Sequence, residues 1–196
     1  MTAHVTPRIP PLPRSAWTEE ARDIFAMLGG AGALESGPNN NAIETLAWHP
    51  NLARAFLTFD IHLLANSSLP PRLRELLILR TAWANRFEYD WRHHQVVGAA
   101  IGLTPDDIHA IQYGPEAKDW TDLERTALRA TDQLCGGGKI DDITWQALAS
   151  ALNQQQLMDL LFTVGGYTMI AWALNNIGVK LEAGVECGFG VTGEKD

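Results

Sequence analysis

The stretch RELLILRTAWANRFEYDWRHHQ, residues 74–95, sets one carboxylate, Glu75, inside a run of Leu and Ile, and follows a break with Asp90, His93 and His94. A carboxylate and an imidazole are side chains that exchange protons near neutral pH, so the first chemistry to consider is general acid/base work. Leu73, Leu76, Leu77, Ile78 and Leu79 cover nearly every direction of a helix over 71–84, which predicts a central helix and leaves Glu75 no easy route to solvent. A buried carboxylate must find a donor or take up a proton, because leaving it charged and unpaired costs several kcal/mol. Arg72 at i−3 and Arg80 at i+5 are local candidates, and His94 is a distant one.

An antiparallel helical hairpin turning near Arg86 puts Glu75 eleven residues before the centre and His94 eight after it. The mismatch is about 4.5 Å along the axis, short enough for the two side chains to meet. On the second helix Asp90, His94, Val97 and Ile101 share a face, with Trp91 beside His94 at i−3. The competing reading is structural: a buried Glu can anchor an Arg, and a His on an apolar face can be a satisfied core residue. A metal held by Glu75, His93 and His94 is disfavoured, since adjacent residues on a helix point about 100° apart, and no metal is expected.

The elements that position these residues are helices. Residues 1–17 carry Pro7, Pro10, Pro11 and Pro13 and predict an extended surface arm. Thr18, with Glu19 and Glu20 behind it, predicts a capped helix ending near GGAGALESGPNNN. Helices follow over AIETLAWH and over NLARAFLTFDIHLLANS, the latter with apolar residues at Leu52, Phe56, Phe59 and Leu63. Pro71 opens the next, running to about Asn85, and another spans Glu88 to Gly102. Thr104 with Pro105, and Thr121 with Glu124, mark two more starts, GGGK breaks the chain before DDITWQALASAL, and QQLMDLLFTVGGYTMIAWALNNIG is the last long helix. No sustained alternation of period two is present, so the fold is expected to be all-α, one domain over 18–182 with a Gly-rich tail at 183–196. A faint echo between RLRELLILRTA and DLERTALRATD is consistent with an old internal duplication.

At 196 residues, 46% of them hydrophobic, the chain suffices for one full-sized core. A formal net charge of −8 argues against nucleic acid or an anionic membrane as partner, since both require a basic surface, and a small-molecule substrate is the default. MTAHVTPRIPPLPRSAW lacks the apolar core of a secretory signal and no segment reads as a membrane span, so a cytoplasmic location is expected. Cys135 and Cys187 stand far apart, in neither a CxxC nor a metal-like spacing, and read as structural thiols. LARAFLTFDIHLL and LMDLLFTVGGYTMIAWAL offer more apolar surface than a monomer of this size needs, and Gly165 with Gly166 permits close backbone approach, so a homo-oligomer is expected, a trimer or dimer-based.

In order and spacing, RIPPLP, LARAFL, SLPPRLRELLILRTAW, EYDWRHH, GLTPDDI and YTMIAWALNNIGV resemble the carboxymuconolactone decarboxylase and alkylhydroperoxidase D superfamily over most of the chain. The resemblance implies an alkylhydroperoxidase D-like helical bundle that assembles as trimers or higher oligomers. In the hydroperoxidase branch a Glu is followed twelve and fifteen residues later by a redox Cys pair and nineteen later by a His, the Glu and His serving as its proton relay. Here Glu75 and His94 take the Glu and His places, but Phe87 and Asp90 take the Cys places, so thiol peroxidase chemistry by that route is excluded by residue type. The decarboxylase branch works without cofactor or Cys. What the resemblance implies is therefore a cofactor-independent lyase or isomerase acting on a small oxygenated or carboxylated metabolite. In it His94 gives the proton and Glu75 orients and charges the ring. Arg72 or Arg80 holds an anionic group, Tyr89 and Trp91 line the cavity, and Phe87, Asp90 and His93 complete the substrate-binding set. The alternative is a noncatalytic oligomeric binding protein that has lost its redox cysteines.

Overall fold

The structure, a computed structural model, describes residues 6–185, all of whose regular elements are helical. The first five residues and the end of the expected tail, including Cys187, lie outside the described residues. By internal contacts the described chain forms two compact units, residues 6–66 with 173–185, and residues 67–172.

In the first unit the Pro-rich arm is tied down by its backbone: the Arg8 N–H donates to the Ile177 carbonyl and the Leu12 N–H to that of Glu44. After a 3₁₀ turn at Arg14–Ala16, helix α1 (Glu19–Gly29) starts where its cap predicts, with Thr18 Oγ1 accepting from the Ala21 N–H at 3.2 Å. A short helix, α2 (Ala33–Ser36), forms inside the Gly-rich segment read as a break. Asn40 caps α3 (Asn41–Leu46), and the His49 ring caps α4 (Pro50–Ile61), which continues into a π-helical turn at His62–Asn66. Ile24, Phe25, Ile43, Ala53 and Leu57 form this unit's core. Of the apolar repeat read in this segment Leu63 is buried and Leu52 is 56% exposed, and Ala53 and Leu57 are buried beside it.

The second unit is built round α5 (Pro71–Ala84), followed by α6 (Glu88–Ala100), α7 (Pro105–Tyr113), α8 (Asp122–Gly137), α9 (Asp142–Ala151) and α10 (Gln154–Ile177, whose residues to Trp172 belong here). α5 is central, as its all-round apolarity predicts: Leu73 and Leu77 pack with α8, α9 and α10, while Leu76 and Leu79 pack with Trp91, Ile111 and Leu128. Thr104 and Thr121 each form the reciprocal capping box, with Asp107 and Glu124. One expectation fails here, since α10 has the length and apolarity of a membrane span, 24 residues with a mean hydropathy of 1.5 in its most apolar window. Of that window 56% is buried, and Leu157, Leu160 and Val164 sit in the core, so this is the apolarity of a core helix.

Candidate functional site

The connection between α5 and α6 decides which side chains meet. Arg86 takes the left-handed conformation at φ 51°, the Arg86 N–H donates to the Trp83 carbonyl, and the Phe87 N–H donates to that of Ala82 at 2.8 Å. These are the two bonds of a Schellman motif, which satisfies the last carbonyls of α5 and reverses the chain within three residues. Asn85 holds the same end from the side. Its Nδ2 donates to the Thr81 carbonyl (2.9 Å) and to Thr168 Oγ1 (3.3 Å), and its Oδ1 accepts from Trp172 Nε1 (3.1 Å) on α10.

With the hairpin so fixed, Glu75 and His94 meet, their Oε2 and Nδ1 atoms 2.8 Å apart. The Glu75 side chain is 0% exposed and that of His94 9%. With Glu75 ionised, Nδ1–H is the donor, which sets the tautomer and leaves Nε2, across the ring, as the nitrogen that gives or takes a proton. Tyr167 of α10 meets the imidazole edge-on, ring centres 5.2 Å apart at 83°. This contact fixes the plane of the ring. The second oxygen, Oε1, lies 3.7 Å from Arg74 Nε, beyond hydrogen-bond length.

The structure therefore brings Arg74 to Glu75, rather than Arg72 or Arg80. Arg72 donates through Nε to Glu124 Oε1 (2.6 Å) and through Nη1 to Asp107 Oδ2 (3.0 Å), and Lys118 Nζ donates to Asp107 Oδ1 (2.6 Å). Burial pushes the Asp107 carboxyl up, but the Arg72 and Lys118 bonds and the Thr104 N–H outweigh it and hold the group well below the usual carboxylate range. Arg80 forks onto Asp132 (Nε–Oδ1 2.6 Å, Nη2–Oδ2 3.0 Å) and donates through Nη1 to the Ile111 and Gln112 carbonyls at the end of α7. Both guanidinium groups tie helices together.

The aromatic candidates divide into two sets. Phe87, Tyr89 and His93 form a stack, with ring centres 6.1 Å and 4.3 Å apart in turn, and His93 Nδ1 lies 2.8 Å from the Tyr89 carbonyl, which can only accept, so Nδ1 carries the proton. Trp91 is fully buried against Trp83, ring centres 5.1 Å apart. Asp90 is half-buried one turn before His94. The buried residues of α6 are Tyr89, Trp91, His94 and Gly98, whereas Val97 and Ile101, expected on the His94 face, are 39% and 37% exposed. Gly98 lets the helix approach closely, because a Cβ there would meet Leu103 Cδ1 at 2.8 Å.

Sequence reasoning missed Arg74 and Tyr167. Arg74 adjoins Glu75 in RLRELL, and the contact is made at i−1 rather than at i−3 or i+5. Tyr167 carries no local signal beyond being a lone phenol in an apolar helix.

The profile of the carboxymuconolactone decarboxylase family matches residues 50–133. No curated protein matches the sequence. Among solved structures, the debrominase Bmp8 in complex with 2,3,4-tribromopyrrole is similar at TM-score 0.74 and 16% identity, over 91% of this chain and 94% of that one. An uncharacterised peroxidase-related protein from Ralstonia eutropha JMP134, described as an alkylhydroperoxidase AhpD core, is similar at TM-score 0.73 and 18% identity, over 89% and 93%. A peroxidase-related protein from Silicibacter sp. TM1040 is similar at TM-score 0.72 and 16% identity, over 91% of each chain. Residues 50–133 thus match the carboxymuconolactone decarboxylase family profile, and the helical architecture is alkylhydroperoxidase D-like.

Proposed function

We propose that this protein is a cofactor-independent acid/base enzyme, a decarboxylase or isomerase acting on a small oxygenated or carboxylated metabolite, and that it works as a homo-oligomer. The reading rests above all on the 2.8 Å contact between buried Glu75 and His94, present where Phe87 and Asp90 stand in the places of a redox Cys pair. In the decarboxylation the carbon–carboxylate bond breaks, CO₂ departs, and the electron pair is taken up by a conjugated carbonyl as an enolate. His94 Nε2 then delivers a proton to carbon as the enolate collapses to the ketone, and the ring recovers its proton from solvent. Glu75 stabilises the imidazolium and holds the ring, and the low-dielectric surroundings strengthen that pairing. That a similar fold, in the debrominase, was solved with a small halogenated ring supports a small-molecule substrate.

The second reading, a noncatalytic oligomer that binds a small molecule or protein, draws on the close packing of His94, which is 7% exposed. A metabolite screen by mass spectrometry, with wild type and His94→Ala in parallel, separates the two. The enzyme reading expects a metabolite consumed by the wild type alone, with a product lighter by CO₂ or of equal mass. Consumption that is equal in both proteins, or absent from both, favours the second reading.

A further inference from the structure

Arg74 is the charged group at this site that the proton-transfer pair does not use. Its side chain is 13% exposed and its Nε is buried without a hydrogen-bond partner among the described residues. Glu75 Oε1, 3.7 Å away, is buried and lacks a hydrogen-bond partner as well, while the other oxygen of the same carboxylate holds His94. The part-buried pairs Arg72–Glu124 and Arg80–Asp132 close to 2.6 Å, and the more exposed Arg54–Asp23 and Arg125–Glu116 stand at 3.4 Å and 3.3 Å. Leaving a guanidinium N–H and a carboxylate oxygen buried and unbonded is costly, and an anion bound to the guanidinium would relieve that cost.

We propose that Arg74 is the anion-holding residue of the site, and that it receives the carboxylate of a small molecule through two parallel N–H···O bonds. The proposal rests on the acid/base reading of Glu75 and His94 and names the group by which that site takes its ligand. A planar guanidinium matches a carboxylate in a bidentate fork, which an ammonium cannot reproduce. The two oxygens of the Glu75 carboxylate face Arg74 at 3.7 Å and His94 at 2.8 Å, so both groups neighbour the same side chain. An anion that draws Arg74 to itself leaves Glu75 paired with the imidazole alone, so ligand binding and a protonated His94 favour each other.

Calorimetric titration of the full chain with benzoate, and with benzamide as its uncharged isostere, tests this. Wild type should bind benzoate saturably and more tightly than benzamide. Arg74→Gln should weaken benzoate roughly tenfold or more and leave benzamide unchanged, with Arg74→Lys between the two. On the wild type alone, which keeps the test independent of how the variants fold, benzoate should slow phenylglyoxal modification of Arg74 and not of exposed Arg86. No saturable benzoate binding, equal affinity for benzamide, or unprotected Arg74 would overturn the proposal. His94→Ala should still bind benzoate, so loss of turnover without loss of binding, or the reverse, shows which of the two readings fails.

Discussion

Glu75 Oε2 and His94 Nδ1 stand 2.8 Å apart across a helical hairpin, nineteen positions apart in the chain, with the carboxylate fully buried. The contact depends on the three residues that turn α5 into α6. Arg86 at φ 51° gives the reversal its hand, and buried Phe87 seats the start of α6. Arg86→Gly should therefore be tolerated or mildly stabilising, since a left-handed position suits Gly, whereas Arg86→Val should lower the melting temperature by several °C, roughly 1–2 kcal/mol in a protein of this size. Thermal unfolding followed by circular dichroism reads both.

The ion network of Arg72, Asp107, Lys118 and Glu124 predicts acid sensitivity. A carboxyl whose folded pKa is depressed adds stability above its unfolded value, near 3.9, and loses it as pH falls towards the folded one. Asp107 is held well below its ordinary range and Glu124 is lowered as well. Asp107→Asn should thus lower the melting temperature by about 5 °C at pH 7. The gap to wild type should narrow steadily below about pH 4. A gap independent of pH would show that the charge of Asp107 is not what stabilises the fold.

Cys135 should be a poor nucleophile. Burial pushes its thiol up, Asp132 adds to that, and the Thr168, Thr81 and Asn85 contacts only partly oppose them. Alkylation by iodoacetamide at pH 8, followed by peptide mass spectrometry, should proceed several-fold more slowly at Cys135 than at a free model thiol. Thiol-dependent hydroperoxide reduction should stay at background, and robust turnover abolished by Cys135→Ser would contradict the account.

The proposed assembly has a surface to test. Met158, Phe162, Met169 and Trp172 on α10 are 58%, 54%, 49% and 63% exposed, and with exposed Gly165 they follow the three-and-four spacing by which one helix packs on another. Sedimentation at micromolar concentration should give a dimer, trimer or multiple of these, and Met169→Glu should shift it towards monomer. A wild-type monomer would contradict this assembly.

Much of the fold was legible because helix starts are written locally: Thr18, Thr104 and Thr121 cap where expected, and Pro71 opens α5. The meeting of Glu75 and His94 was legible because a short hairpin converts residue counts into axial distance. The identity of the neighbours was not. Whether Arg72, Arg74 or Arg80 turns to Glu75 depends on Glu124, Asp107 and Asp132, carboxylates on other helices that claim Arg72 and Arg80. Which side of α4 and of α6 is covered was not legible either. Periodicity finds apolar residues, and packing partners decide which are covered, so small Ala53 and Gly98 lie inside while Leu52 and Val97 lie at the surface.

The central claim, that His94 and Glu75 work as an acid/base pair, is tested most directly by turnover per folded molecule of His94→Ala, measured beside its melting temperature. Acid/base catalysis predicts a loss of roughly 10² to 10⁴ in turnover with helical content intact, and a smaller loss for Glu75→Gln, whose amide still orients the ring. A structural pair predicts the reverse, a stability loss of about 3–5 kcal/mol with turnover per folded molecule unchanged, and that result would contradict the account.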